Sequence, residues 1–208
     1  MVFLFVLSAC QPTADGRLEI DSSSSTEQSS QIPLSTVAGE CGLDPVEIPL
    51  MPAVIPGYAE LDEATGLHMT GRVQQIDLAT YRLKVTGLVD RPREFTYDQL
   101  RCMPKVSATA RLICPGLFED ESTWSGVPLS HIFELTGLQP DAKQMVLISA
   151  DGYKAYVPIE DALAEDNMIA YEMLGKPLPV LHGFPVRAVL PTTDGGKWIK
   201  WLIEVHIQ

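Results

Sequence analysis

No C-x-x-C pair and no cluster of Cys and His at metal-binding spacing occurs in this sequence, whose four cysteines stand apart at positions 10, 41, 102 and 114. That spacing excludes a structural zinc site of the finger or ribbon kind. Positive charge is scarce as well: 15 Lys and Arg face 27 Asp and Glu, a formal net charge of −12. Nucleic acid would be repelled except over a locally basic pocket, so it is not an expected partner. The sequence also lacks an apolar run of the about 20 residues that a membrane-spanning helix needs, and no internal repeat is visible. What is present, 208 residues with 46% hydrophobic and 20% charged side chains, suits an ordinary globular chain with enough apolar material for a sizeable core.

Composition divides the chain. Residues 1–10 form an apolar run ending in Leu7-Ser8-Ala9-Cys10. The ending resembles the lipobox of bacterial lipoproteins, in which small residues before the cysteine admit a signal peptidase and the Cys10 thiol carries the lipid; the bland alternative is a buried N-terminal strand. Signal peptides begin with a basic segment and none precedes this run, so the natural start is expected upstream of Met1. Residues 11–40 are rich in Ser, Thr, Gln and Pro and read as a disordered tether. Residues 41–70 alternate prolines with short apolar groups, such as Pro49, Met51, Pro52, Val54 and Pro56, the pattern of an extended arm that wraps a domain without regular elements. Residues 71–208 are left as the compact domain.

Within that domain the apolar periodicity predicts strands over 81–86, 108–113, 144–149, 153–157, 186–190 and 203–207. A short helix should open at Thr96 as N-cap, a second should run from Pro128 to Thr136 and stop at Gly137, and a third should cover 159–163. Many strands, few helices and long loops imply an α+β fold with mixed sheets, and place Cys114 at a strand exit.

Three stretches carry a resemblance. Ile169 to Pro179 (IAYEMLGKPLP), His182 to Arg187 (HGFPVR) and Lys197 to Leu202 (KWIKWL) are similar to the molybdopterin-binding core of the sulfite oxidase family. Upstream, YRLKVTG at 81–87, Cys114, WSGVPL at 124–129 and DGY at 151–153 follow in the family's order, so the resemblance covers about 76–207. It implies the sulfite-oxidase-type fold and a single-pterin molybdenum cofactor. By itself Cys114 reads as a small buried hydrophobe; the resemblance makes it the thiolate ligand of molybdenum, a role that suits soft sulfur. His182, Arg187 and Lys200 would hold the pterin and its phosphate, a guanidinium fork and an ammonium being apt partners for that anion, and Lys197 is a weaker candidate for the same pocket. Tyr153 corresponds to an active-site tyrosine able to hydrogen-bond an oxo group, with a core tyrosine as its competitor. Trp124 is expected to fill the core beneath the metal loop, with Gly126 and Pro128 setting the turn into the next helix.

The implied activity is two-electron, oxygen-atom-transfer chemistry on a small oxo-compound such as a sulfoxide or sulfite, with a redox protein or the quinone pool as electron partner. The expected address is extracytoplasmic, in the periplasm or on the cell surface, anchored through Cys10. The alternative is a non-catalytic lipoprotein that keeps the fold as a binding or interaction module. Two features depart from sulfite oxidases proper. Cys114 is followed by PGLFEDE, which reads as an acidic rim, and His68 and Arg72 lie near where a substrate-side group would be expected but neither matches the family pattern cleanly. In an oxidising compartment Cys41 and Cys102 could pair and pin the arm to the domain, although sequence alone sets no distance between them.

Overall fold

The computed structural model describes residues 41–208, so the lipobox-like segment with Cys10 and the Ser-rich tether lie outside the described residues. Among the described residues no helix is long and apolar enough to cross a membrane.

Two five-stranded sheets carry the domain. The first comprises β3 (Leu83–Gly87), β4 (Arg93–Phe95), β7 (Gln144–Ser149), β8 (Lys154–Pro158) and β12 (Leu202–Ile207), in the order β4-β3-β12-β7-β8. Only the β12–β3 pair in it is parallel, with Val205 opposite Val85. The second sheet runs β10-β9-β6-β5, from β5 (Val106–Cys114), β6 (Phe118–Pro128), β9 (Met168–Met173) and β10 (Lys176–Pro177), and β11 (Arg187–Val189) pairs antiparallel with β9. The mixed sheets expected from the sequence are therefore present.

Helix α1 (Tyr97–Arg101) begins with a capping box: the Thr96 hydroxyl accepts from the Gln99 backbone and the Gln99 side chain accepts from the Thr96 backbone. Helix α2 (Leu129–Thr136) buries Leu129, Ile132 and Phe133, each contributing about 1.5–3 kcal/mol on removal from water. It ends at Gly137 in the left-handed conformation. Helix α3 (Ile159–Ala162) is a single turn.

Three expectations need correction. The segment after Cys114 is a tight turn followed by the 11-residue strand β6, whose alternation exposes Glu119 and Glu121 and turns Asp120 inward, so of these acids only Asp120 reaches the recess beside the cysteine. Glu119 pairs instead with Arg111 on the neighbouring strand. Gly126 does not make a turn: it sits at a bulge between β6 and β9, where an added Cβ would lie 2.1 Å from the Ile169 carbonyl oxygen. The Pro-rich arm, finally, is not wholly irregular. It contains a two-stranded hairpin, β1 (Leu61–Asp62) and β2 (Leu67–His68). Cys41 and Cys102 form a disulfide with Cα atoms 5.8 Å apart, and Arg101 donates to the Asp44 carbonyl, which ties the arm to α1.

Candidate active site

Cys114 is the last residue of β5 and lies half-buried where the β5–β6 hairpin turns. The loop joining β11 to β12 closes over it through Gly195. A Cβ there would stand 2.8 Å from the thiol sulfur and 2.6 Å from Leu112 Cδ2, so glycine is what permits this approach. A cavity of about 230 Å3 opens beside the sulfur, walled by Thr70, Gly71, Asp151, Tyr153, Gly196, Lys200 and Trp201, with Tyr58 contributed by the arm. Behind it a tight recess of about 20 Å3 also touches Cys114 and reaches His68, Asp120, Trp124, His182, Arg187 and Lys200.

Two cations form the back of this recess. Arg187 is 2% and Lys200 8% exposed. Arg187 packs its guanidinium over the Trp124 ring at 4.5 Å and spends its terminal nitrogens on the carbonyls of His182 and Trp198, at 3.3 and 3.2 Å. Its Nε and the Trp124 Nε1 are buried without a hydrogen-bond partner. Lys200 Nζ donates to the Leu181 carbonyl at 3.1 Å and lies 3.6 Å from the Met69 sulfur and 4.8 Å from the Trp201 ring. Among the described residues neither cation has a carboxylate within ion-pair distance. Burial, reinforced by Arg187, lowers the Lys200 ammonium to about 7, and burial lowers Arg187 to about 9. Buried charge costs several kcal/mol per ion unless it is paired, so this geometry fits residues that receive an anion.

Both histidines of the recess, by contrast, are anchored. His182 sits in a 3-10 turn, Val180–His182, with Nε2 3.0 Å from Asp62 Oδ2 and 2.8 Å from Thr65 Oγ1. Burial and then Lys200 push its imidazole down to about 4, so it is neutral over the ordinary pH range. Burial would raise Asp62, but hydrogen bonds from Thr65, His182 and the Ala64 backbone outweigh it and hold the carboxyl below its usual range. His68 pairs with Asp120 at 2.7 Å. The Cys114 thiol is pushed up by burial and by Asp120 and Asp194, against the pull of Arg187 and Lys200, so it is protonated until a metal ion displaces its proton.

Of the residues singled out from sequence, Cys114, His182, Arg187 and Lys200 converge on the recess, and Tyr153, 55% exposed, stands at the outer cavity. Trp124 is buried and becomes the platform for Arg187. Lys197 borders neither cavity. Arg72 does not point a free guanidinium into the cleft; it bonds the Asp151 carbonyl at 2.8 Å. Sequence reasoning missed Asp62, Thr65 and Asp120, whose partners lie 120, 117 and 52 residues away. The only local signal was the alternation around Asp120.

Among the described residues no group of three or more His, Cys, Asp or Glu could enclose a metal ion. A metal at Cys114 would therefore draw most of its ligands from a cofactor. The unpartnered donors and the two unpaired cations fit a cofactor that carries a phosphate, and the thiol fits as its protein ligand.

Residues 70–208 match the family described as the oxidoreductase molybdopterin binding domain. An uncharacterized oxidoreductase, YuiH of Bacillus subtilis (strain 168), is 32% identical over 61% of this chain and 64% of its own length. A putative protein-methionine-sulfoxide reductase subunit, YedZ1 of Azospira oryzae, is 33% identical over 65% of this chain and 52% of its own. Mitochondrial sulfite oxidase of Drosophila melanogaster is 32% identical over 65% of this chain, but the match spans only 28% of that enzyme. The sulfane dehydrogenase SoxCD from Paracoccus pantotrophus superposes with a TM-score of 0.63 at 21% identity, covering 92% of this chain and 59% of that one, a likeness of fold.

Proposed function

The chain belongs to the oxidoreductase molybdopterin-binding domain family, and from that membership we propose that it is a molybdenum-cofactor-dependent oxidoreductase acting on a small, uncharged oxo-compound. The observation that carries this reading is the pairing of one accessible thiol with two buried cations that folding leaves without an acid. In it Cys114 ligates the metal, Arg187 and Lys200 take the pterin's phosphate, and His182 meets the pterin. The cofactor, when bound, supplies two-electron oxygen-atom-transfer chemistry.

The cavity mouth supports an uncharged substrate. It presents Tyr58 and Tyr153 beside Asp151, whose carboxyl would be raised by burial but is held down by hydrogen bonds from the Tyr153 and Arg72 backbones. Of the nearby cations, Lys200 also lines this cavity and is assigned to the cofactor's phosphate, Arg72 bonds the Asp151 carbonyl and Arg111 pairs with Glu119. Once the cofactor's phosphate occupies Lys200, an anion such as sulfite would meet the Asp151 carboxylate there, whereas a sulfoxide would meet two phenols. The name of the Azospira relative points the same way. Tyr153 is assigned as the phenol that hydrogen-bonds the substrate oxygen.

An extracytoplasmic address is part of the proposal. The Cys41–Cys102 disulfide supports an oxidising compartment, and Cys10 is the site for a lipid anchor; electrons would come from a redox protein or the quinone pool. The test is purification from a cofactor-competent host, with metal and pterin assay and turnover of sulfoxides, N-oxides and sulfite using dye donors and acceptors. About one molybdenum per chain and sulfoxide turnover are expected, with Cys114→Ser abolishing turnover while the thermal transition stays in place. Full activity in Cys114→Ser, or an empty protein from a competent host, would overturn the assignment.

A further inference from the structure

Among the described residues three aromatic side chains are exposed, Tyr58, Tyr153 and Tyr156, and two of the three line the cavity beside Cys114. A ring left in water has a large apolar face with nothing packed on it, and two on one cavity mark a surface built to be covered. Tyr153 already meets the substrate oxygen in the reading above, and its hydroxyl lies on the sulfur side of the cavity. A Cβ on Gly196 would stand 3.7 Å from that hydroxyl, and one on the preceding Gly195 would stand 2.8 Å from the Cys114 sulfur. Tyr58 comes from a different element, the arm, outside the residues 70–208 that match the family.

A built turn presents Tyr58. The Glu60 backbone N–H donates to the Gly57 carbonyl at 3.1 Å, and the Glu60 carboxylate folds back to accept from the Gly57 N–H at 2.8 Å. Between them Ala59 is held in the left-handed region at φ 59°, a conformation that costs a residue with a Cβ. Two backbone bonds keep it there: the Ala59 N–H donates to the Met69 carbonyl at 2.7 Å, and the Met69 N–H to the Glu60 carbonyl at 2.8 Å. Met69 in turn lies 3.6 Å from the Lys200 ammonium, so the turn is tied to the cleft it borders. The backbone beneath Tyr58 is thus fixed while its side chain stays 72% exposed. Its hydroxyl makes no hydrogen bond among the described residues, so what Tyr58 offers the cavity is the face of its ring.

We propose that Tyr58 is a specificity-determining residue: its ring packs on an apolar substituent carried by the sulfur of the substrate, while Tyr153 takes the oxygen. The inference rests on the oxo-compound reading above and narrows it, from small sulfoxides in general to those with one bulky apolar arm. The selectivity comes from removing the ring and the substituent from water together, so it requires the ring and not the hydroxyl.

The test compares kcat and KM of the cofactor-loaded protein for benzyl methyl sulfoxide and dimethyl sulfoxide, with a reduced dye as donor. Wild type should favour the benzyl compound in kcat/KM. Tyr58→Ala is expected to lower that preference by roughly 10-fold, the low end of what one apolar contact contributes in a pocket. The loss should appear in KM for the benzyl compound rather than in kcat, as removal of a binding contact does. Tyr58→Phe should keep the preference, and the thermal transition and the molybdenum and pterin content should hold in both variants, because the side chain is exposed. NMR of the loaded protein without reductant gives a readout free of turnover: the benzyl protons should show a nuclear Overhauser cross-peak to a labelled tyrosine ring that disappears in Tyr58→Ala. No benzyl preference in wild type, a preference unchanged in Tyr58→Ala or lost in Tyr58→Phe, or tyrosine cross-peaks unaltered in Tyr58→Ala overturns the role of Tyr58 while sulfoxide reduction by the wild type stands. A loaded wild type that reduces neither sulfoxide overturns the substrate reading and this inference together.

Discussion

The two walls of the cleft are built on opposite plans. The domain wall, from β11 and the loop into β12, buries Arg187 and Lys200 with carbonyls, a thioether and aromatic faces as their contacts and no ion pair among the described residues. The arm wall, from the β1–β2 hairpin, has acids and hydroxyls whose bonds are complete within the protein: Asp62 and Thr65 on His182, and His68 on Asp120. Folding alone satisfies the second wall and leaves the first in deficit. Since buried polar groups are nearly always paired, a wall left unpaired is one whose partner arrives from outside, whereas the completed wall serves to orient.

Detaching the arm should break this contrast most severely. The disulfide closes a separation of 61 residues that contains the entire hairpin, and a loop of that size is worth about 4 kcal/mol in the chain-entropy account. Cys41→Ser combined with Cys102→Ser is expected to lower the urea-derived stability by about that amount. Faster amide exchange at 61–69 and loss of pterin on gel filtration should accompany it, because His182 loses Asp62 and Thr65. Unchanged exchange in the hairpin would show that the arm grips the domain without its covalent tie.

Single substitutions on each wall should have opposite signs. Lys200→Met removes an unpaired buried charge, so the cofactor-free chain should gain about 2 kcal/mol in urea unfolding. The same change should weaken pterin retention by roughly 100-fold, as removal of one partner of a buried charged contact does. Asp62→Ala removes an acceptor from a completed network and should cost about 2 kcal/mol with or without cofactor. If both variants lost stability, the domain wall would not be in deficit and the anion assignment would fall with it.

The contrast also separates what could be read from sequence. Arg187 and Lys200 were legible because HGFPVR and KWIKWL hold their residues in short contiguous motifs, and Cys114 because an apolar strand pattern ends at it. The capping box at Thr96 and the C-cap at Gly137 are likewise local chemistry, and the structure shows both. The arm wall was opaque for a physical reason: prolines mask strand periodicity, two-residue strands have none, and Asp62 acquires meaning only from a histidine 120 residues on. Strand β6 was hidden by its charge. Its acids suggested a solvated rim, although one-in-two alternation at Glu119, Asp120 and Glu121 already distinguished inward from outward.

The smallest expected effect, per step of pH, sharpens the comparison furthest. Lys200 falls from an ordinary 10.5 to about 7 in the folded chain, chiefly through burial. Its penalty is therefore fully present below about 7. As pH rises from there toward 10.5 the unfolded chain still binds the proton and the folded chain does not, so stability should climb by at most about 1.4 kcal/mol per pH unit. His182, lowered from 6.5 to about 4, makes its own contribution on the acid side: stability is lost as pH falls from 6.5 through 4, as the unfolded histidine charges first. Between about 7 and 9 the alkaline slope belongs to Lys200, so Lys200→Met should abolish it there and keep the acid limb, which burial sets first, with its midpoint moved up as the Lys200 charge is removed from His182. Inorganic pyrophosphate, used as a stand-in anion with the cofactor-free protein, should also flatten it by returning the ammonium toward its ordinary value. Its binding at pH 8 should then take up a fraction of a proton, measurable as a buffer-dependent calorimetric heat. A slope between pH 7 and 9 that persists in Lys200→Met would assign it to another group and remove the electrostatic deficit from which the cofactor site was inferred.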